Sequence, residues 1–132
     1  MTFPVITLSY LIPISLIHSF LSIRVVFART RLRVPFGDGG QDEFARRIRA
    51  HGNLIEYLPL AIILMGSLEI LGERPMVMHA AMALLLAARI AHPGTFWART
   101  GSPVYYFCRI FGAFTTWAVM TAATLRLIFL LP

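Results

Sequence analysis

The first 23 residues of this chain contain no Asp, Glu, Lys or Arg, and this uncharged run constrains the fold most strongly. A helix of that length spans the hydrocarbon core of a bilayer, which is about 30 Å thick. Charged residues make up 14% of the sequence, compared with about 25% in a typical soluble domain. We therefore expect an all-α integral membrane protein.

This first apolar run also resembles a signal peptide, which is the rival interpretation. A signal peptide has basic residues before its apolar segment and small residues at a cleavage site. Here the nearest arginines, Arg24 and Arg29, follow the apolar run instead of preceding it. We therefore expect a first membrane helix that is retained.

Breaks in the apolar pattern divide the chain into four predicted helices with short connections. Gly and Pro residues between positions 35 and 40 predict a loop, because they disfavour a continuing helix. Pro75 follows the turn at 72–74 and suits the first position of a helix. The predicted helices cover about residues 3–31, 42–71, 75–97 and 104–131. Together they form a single predicted domain over residues 1–132, a membrane four-helix bundle.

All twelve basic residues are arginines, and they are distributed unequally between the two sides of the predicted bundle. Only Arg74 and Arg126 belong to the side that contains both termini. The positive-inside rule then places both arginine-rich connections in the cytoplasm and both termini outside. Arginines that border apolar segments fit anionic lipid headgroups, and without a basic and aromatic module we do not expect nucleic-acid binding.

The second predicted helix begins with a polar face inside a membrane segment. Arg46, Arg49, Asn53, Glu56 and Tyr57 fall within an arc of about 100° at helical periodicity. Charge at membrane depth is costly, so such a face indicates a functional site. Two interpretations remain open. The face is either a structural network of salt bridges between helices or a site for a small zwitterionic ligand, whose carboxylates the arginines would bind in a bidentate manner.

The adjoining ends of the third and fourth predicted helices add further polar groups. Arg89 and His92 share a face on the third helix, and Tyr105 and Arg109 share a face on the fourth. Arg89 would either complete a ligand site or extend to the lipid headgroups. If the ligand of this site contains a thiol, a nearby cation or hydroxyl would lower the pKa of that thiol and so produce the nucleophilic thiolate. Arg109 is the best-placed cation for that role, with Tyr105 and Arg99 as the alternatives.

The remaining reactive residue types indicate packing instead of chemistry. His51 lies away from the polar face, and no second His, Asp or Glu stands at metal-ligand spacing from it, so we expect no metal site. The single cysteine, Cys108, excludes an intrachain disulfide. A lone cysteine in an apolar helix most often packs like a small hydrophobic residue.

The polar face contains a recognisable motif. The run Arg49-Ala50-His51-Gly52-Asn53-Leu54-Ile55-Glu56-Tyr57-Leu58-Pro59 resembles the second-helix signature R-x-x-x-N-x-x-E-[YT]-x-P of the MAPEG family. These are the membrane-associated proteins of eicosanoid and glutathione metabolism. The loop at 33–40 and the helix ending at 88–92 are similar to those of bacterial inner-membrane members of the family.

The resemblance implies a homotrimer of four-helix bundles in the bacterial inner membrane, with periplasmic termini. Glutathione would be bound at each subunit interface, on the cytoplasmic side. The residues that the resemblance assigns to glutathione are Arg46, Arg49, Asn53, Glu56 and Tyr57, together with Arg89 and His92 from an adjacent subunit and Arg24 or Arg29 from the first helix.

The implied activity is that of a glutathione transferase or peroxidase acting on lipophilic electrophiles. The lipophilic small molecule would enter from the bilayer, between the first and fourth helices of adjacent subunits. The alternative is a non-catalytic membrane protein whose polar face is a structural network between subunits.

Overall fold

The computed structural model describes residues 3–131, and these residues are helical apart from short connections. The helices are α1 (Val5–Leu32), α2 (Asp42–Ile70), α3 (Pro75–Ala91), α4 (Gly94–Trp97) and α5 (Pro103–Leu130). No strand occurs within residues 3–131. Four segments are long and apolar enough to cross a membrane, with α3 and α4 forming one of them. The all-α fold is therefore confirmed, with four helical segments that are long and apolar enough to span a membrane, while residues 1, 2 and 132 of the predicted domain lie outside the described residues.

The predicted third helix is divided at Pro93. Helix α3 ends at Ala91, and the short α4 begins at Gly94. Proline has no amide hydrogen, and its ring clashes with the carbonyl of the preceding turn, so the helix does not continue straight through it. The resulting bend lets α4 pack so closely on α5 that a Cβ at Gly94 would lie 2.8 Å from Cys108 Sγ. The Cys108 sulfur on α5 therefore packs against α4.

The apolar core occupies the half of the bundle near the turn between α2 and α3. Its buried side chains come from α1, α2, α3 and α5, and are Ile14, Ala61, Met65, Leu68, Met78, Met82, Leu85, Val119 and Ala123. In a bilayer such packing stabilises the fold through van der Waals contact more than through removal of surface from water. Because the apolar part of α2 is used here, its polar first turns lie in the opposite half.

A carboxylate from α2 holds the beginning of α1. Glu69 accepts hydrogen bonds from the backbone amides of Ile6 at 2.7 Å and Thr7 at 2.8 Å, and from Thr7 Oγ1 at 2.7 Å. The first amides of a helix have no partner within the helix, and the positive end of the helix dipole favours an anion there. Glu69 therefore caps α1 from a neighbouring helix and joins the two.

A second carboxylate is buried in the turn between α2 and α3. Glu73 accepts one hydrogen bond from Arg126 on α5 and another from the backbone amide of Arg74 at 2.9 Å. The hydrogen bond from Arg126, followed by that from the Arg74 amide, lowers the pKa of Glu73 below its ordinary value. Glu73 therefore stays ionised at neutral pH and connects this turn to α5.

We expect Glu69→Ala to lower the free energy of unfolding by about 2–3 kcal/mol, because hydrogen bonds to a charged group contribute about 1.5–3 kcal/mol. Unfolding by sodium dodecyl sulfate in mixed micelles measures this change. Glu43→Ala is the matched control, since Glu43 is an exposed α2 carboxylate that pairs with Arg47 on the helix surface and such surface pairs contribute about 0–1 kcal/mol. Equal losses in the two variants would contradict the cap.

Candidate functional site

A polar cavity of about 510 Å³ lies in the half of the bundle opposite the apolar core, between α2, α3, α4 and α5. Eight of the twelve candidate site residues line it: Arg46, Arg49, Asn53, Tyr57, Arg89, His92, Tyr105 and Arg109. The structure therefore brings together within one chain the polar face of α2 and the ends of α3 and α5. Arg89 and His92, which the resemblance assigns to an adjacent subunit, line the same chain's cavity.

Arg89 is the most deeply buried charge in the described part of the chain, with 1% of its surface exposed. Its guanidinium donates to the Gly112 carbonyl at 2.9 Å, to Asn53 Oδ1 at 3.3 Å and to the hydroxyl of Thr116. Within residues 3–131, no carboxylate forms an ion pair with it, and its Nε has no hydrogen-bond partner. The cavity wall therefore contains a buried positive charge without a counterion.

A close approach of α3 and α5 makes these contacts possible. A Cβ at Gly112 would lie 2.6 Å from His92 Cβ and 3.0 Å from His92 Cα, which is too close for real atoms. Only glycine fits at this helix crossing. Thr116 also donates to the Gly112 carbonyl at 2.7 Å, so the same turn of α5 presents both of the oxygens that Arg89 binds.

The polar face of α2 forms the opposite wall of the cavity. Arg46 donates to the hydroxyl of Thr100, in the connection before α5, at 2.8 Å. Arg49 pairs with Glu56 at 2.8 Å, and their side chains are 62% and 43% exposed. Glu56 is not among the residues that line the cavity. Arg49 thus lies at the rim, with its carboxylate partner on the outer surface of α2.

Tyr105 and Arg109 stand one turn apart near the beginning of α5. Arg109 donates to the Tyr105 hydroxyl at 2.7 Å, and Ser102 caps the helix by accepting from the Tyr105 amide at 3.2 Å. Both side chains also line a second, shallow cavity of about 430 Å³. This α5 groove includes the exposed apolar side chains of Ile110, Phe114 and Trp117. The Tyr105–Arg109 pair therefore separates a polar cavity from an apolar groove.

The first-helix arginines have other contacts. Arg29 donates to the carbonyls of Val34, Pro35 and Gly37 at 3.1–3.3 Å and so closes the loop after α1. Arg24 stacks on the ring of Trp97, with its guanidinium carbon 5.1 Å from the ring centroid. Neither arginine lines the polar cavity of this chain.

Arg99, a candidate for ionising the thiol, and His51, which we did not expect in the site, also lie apart from the cavity. Arg99 is exposed in the connection between α4 and α5 and is not among the lining residues. His51 instead lies against His18 on α1, with ring centroids 5.1 Å apart. Of the three residues proposed to ionise a thiol, only Arg109 and Tyr105 therefore reach the cavity within one chain.

Sequence reasoning missed the threonines of the site. Thr100 and Thr116 bind Arg46 and Arg89, and Thr95 lines the cavity with a buried hydroxyl that has no partner within residues 3–131. Thr116 carried a signal, since it shares a helical face with Tyr105 and Arg109. No sequence pattern indicated Thr95 or Thr100. Thr95 reaches the cavity because the chain bends at Pro93, and Thr100 reaches it from the connection before α5.

The sequence model of the MAPEG family matches residues 7–129 of the chain, which is nearly its whole length. The chain belongs to the MAPEG family. It is thus a membrane protein of that family, as its second-helix motif indicates. The MAPEG chain is also similar to two curated proteins called "Inner membrane protein YecN", from Escherichia coli (strain K12) and Escherichia coli O6:H1 (strain CFT073). Each is 41% identical over 86 residues, a match that covers 61% of this chain and 66% of the relative, just under two thirds.

We expect Gly112→Ala to lower the free energy of unfolding by about 1–3 kcal/mol, as overpacking does, because the new methyl group would overlap His92. Denaturant titration in mixed micelles measures the change. Gly66→Ala on α2 is the matched control, since a Cβ there meets nothing within 4 Å and alanine favours a helix by about 0.5–1 kcal/mol. If both variants were equally stable, the close crossing of α3 and α5 would be wrong.

Proposed function

We propose that this MAPEG protein is a glutathione-dependent enzyme of the transferase or peroxidase type, acting on lipophilic electrophiles. The observation that carries the proposal is the charge of the polar cavity. Its lining includes four arginines, Arg46, Arg49, Arg89 and Arg109, and no Asp or Glu. Such a cavity suits a small ligand with more than one negative charge, and glutathione has two carboxylates.

Individual side chains match the functional groups of glutathione. Arg46 and Arg49 lie on one wall and would bind its carboxylates, for which the planar guanidinium is well suited. Asn53 would hydrogen-bond a peptide group. Glu56 pairs with Arg49 from outside the cavity lining, and it would hold the ammonium group of a ligand that extends past the rim. The buried positive charge of Arg89, whose guanidinium donates to Asn53 Oδ1, would attract the bound anion electrostatically.

The Tyr105–Arg109 pair would ionise the thiol. A cation next to a thiol favours its charged form and lowers its pKa, and the thiolate is the nucleophile. Arg109 donates to the Tyr105 hydroxyl at 2.7 Å, and both side chains line the cavity. Their polar groups are therefore close enough for both to contact one sulfur atom. On ionisation the thiol proton would pass to water. In a transferase reaction the sulfur lone pair would form a bond to an electrophilic carbon, and the leaving group would depart with the electron pair of its own bond to that carbon. In a peroxidase reaction the sulfur would form a bond to one peroxide oxygen while the O–O bond breaks, and the departing alkoxide would take a proton from water.

The α5 groove provides a place for that second substrate. It shares Tyr105 and Arg109 with the polar cavity, and its exposed apolar side chains would suit contact with the bilayer. A lipophilic molecule would reach the pair from the membrane, while glutathione would reach it from the aqueous side. The two substrates would therefore meet without the lipophilic one crossing water.

We further propose a homotrimer in the inner membrane with periplasmic termini and a cytoplasmic site. The exposed pair of Arg49 and Glu56 supports an oligomer, because charged groups at membrane depth are costly unless another surface covers them, and the trimer is the state that the family resemblance implies. The excess of arginines at the end of the bundle that contains the polar cavity supports the orientation. The name of the Escherichia coli relatives supports the inner membrane.

Glutathione binding tests the proposal directly. We expect the purified protein to bind glutathione in isothermal titration calorimetry, and Arg49→Ala to weaken binding roughly ten- to a hundredfold, as loss of a charged hydrogen bond does. Arg31→Ala is the matched control, because Arg31 is an exposed α1 arginine away from the cavity. Absence of binding by the wild type, or an equal effect of Arg31→Ala, would refute the assignment.

Thiolate absorbance in the ultraviolet, followed by stopped-flow mixing with glutathione, then identifies the ionising group. Arg109→Gln and Tyr105→Phe should bind glutathione but produce less thiolate. Arg99→Gln should produce as much thiolate as the wild type, because Arg99 is outside the cavity. A loss of thiolate in Arg99→Gln alone would move the role to that residue.

The second proposal is a non-catalytic protein in which the polar face joins subunits. The observation that favours it is the exposed ion pair of Arg49 and Glu56, at 2.8 Å, outside the cavity lining. In that case the pair would contact a neighbouring copy of the chain. The polar cavity would then have no ligand, and its polar lining would serve to form hydrogen bonds with the buried Arg89.

Thermal unfolding of Glu56→Gln separates the two proposals. For the enzyme, saturating glutathione should raise the melting temperature of the wild type, since a ligand at a hundredfold its Kd stabilises by about 2.7 kcal/mol. The rise should be smaller in Glu56→Gln. For the structural network, Glu56→Gln should dissociate the oligomer in detergent, and glutathione should shift neither protein. Size-exclusion chromatography with light scattering measures the dissociation.

A further inference from the structure

A second large cavity lies at the end of the bundle opposite the polar cavity, between α3 and α5. Its volume is about 710 Å³, within the range of about 300–1,000 Å³ that small-molecule sites occupy. Small side chains on both helices, Ala81, Ala118 and Ala122, leave this space open. We call it the α3–α5 groove. Most of its lining is apolar, and its charged side chains, Glu73, Arg74 and Arg126, lie together where α3 begins.

The charged end of this groove has a surplus positive charge. Glu73 uses one carboxylate oxygen for Arg126 and the other for the backbone amide of Arg74. Its single negative charge therefore balances only one of the two guanidinium groups. Within residues 3–131, no carboxylate forms an ion pair with the Arg74 side chain, which is exposed.

The length of the groove matches one leaflet of a bilayer. From Arg74 to Leu84 it follows α3 for ten residues, or about 15 Å at 1.5 Å per residue. The hydrocarbon core is about 30 Å thick, so one leaflet contributes roughly half of that. The cationic end therefore lies at headgroup depth, and the apolar part lies at the depth of an acyl chain.

We propose that the α3–α5 groove binds one anionic phospholipid, with its phosphate at Arg74 and Arg126 and an acyl chain along α3 and α5. Charge complementarity selects this occupant over a zwitterionic lipid, because a single surplus cation is neutralised by a net negative headgroup. The site lies in the leaflet opposite to the one that the polar cavity faces. It is thus separate from the proposed glutathione site.

A second copy of the chain fits this groove less well. In a trimer all copies have the same orientation in the membrane, so only residues at the same depth would meet. The described carboxylates at this depth are Glu69 and Glu73, and both are engaged within their own chain, Glu69 by α1 and Glu73 by Arg126. A neighbouring copy would therefore offer no free anion to Arg74.

Native mass spectrometry of the full chain in detergent tests this proposal. The probes are phosphatidylglycerol and phosphatidylcholine with identical acyl chains, added at increasing concentrations. We expect phosphatidylglycerol to bind more tightly than phosphatidylcholine. Arg74→Gln should weaken phosphatidylglycerol binding about fivefold, the typical contribution of one arginine near a membrane surface. Arg31→Gln is the matched control, since it removes an exposed arginine at the other end of the bundle.

Filling the apolar part of the groove provides an independent variant. Ala122 is exposed, so Ala122→Phe should fold, and it should weaken binding of both lipids. Equal affinity for the two lipids, or equal effects of Arg74→Gln and Arg31→Gln, would overturn the proposal. Dissociation of the oligomer by Ala122→Phe without loss of lipid would also overturn it, because another copy of the chain would then cover the groove. If Ala122→Phe does not fold, Arg74→Gln decides the question alone.

Discussion

The arrangement of this bundle depends on the hydrogen bonds of Arg89, a buried arginine that forms no ion pair with any carboxylate in residues 3–131. The guanidinium of Arg89 is held by a carbonyl, a hydroxyl and a side-chain amide from two other helices. Burying a charge in an apolar environment is costly unless hydrogen bonds surround it. This requirement draws α2 and α5 onto α3, and it explains why the helix crossing needs Gly112. The cavity beside Arg89 is positive because its neutral ligands supply no negative charge.

The two ends of the bundle differ in how they compensate for the cost of burying charged side chains. At the end near the turn between α2 and α3, the buried Glu73 pairs with Arg126 and the half-buried Glu69 caps α1. That end can therefore support a packed apolar core. At the other end, the arginines that line the polar cavity outnumber the carboxylates, and polar side chains surround the open space. The half near the turn between α2 and α3 thus contains the packed core with the apolar α3–α5 groove beside it, and the other half contains the polar cavity.

Much of the site could be predicted from the sequence because it lies on regular helices. Arg46, Arg49, Asn53 and Tyr57 recur at helical spacing, so periodicity alone places them on one face. The same reasoning does not reveal how far a long side chain reaches. Arg29 is on a suitable turn of α1, yet it binds three loop carbonyls. Glu56 shares the arc of Arg49 and still lies outside the cavity lining, since an arc of about 100° extends past the edge of a helix contact.

The sequence by itself determined the membrane class, the four spans, the polar face of α2 and membership of the MAPEG family. These depend on local composition and periodicity, which are properties of consecutive residues. Tertiary structure alone decided which charges share a cavity and which are neutralised. The contact of Arg89 with Gly112 and Thr116 follows from a helix crossing. Thr95 and Thr100 line the same cavity because the chain bends at Pro93 and returns to α5. Such contacts join residues far apart in the chain, and no local pattern encodes their distances.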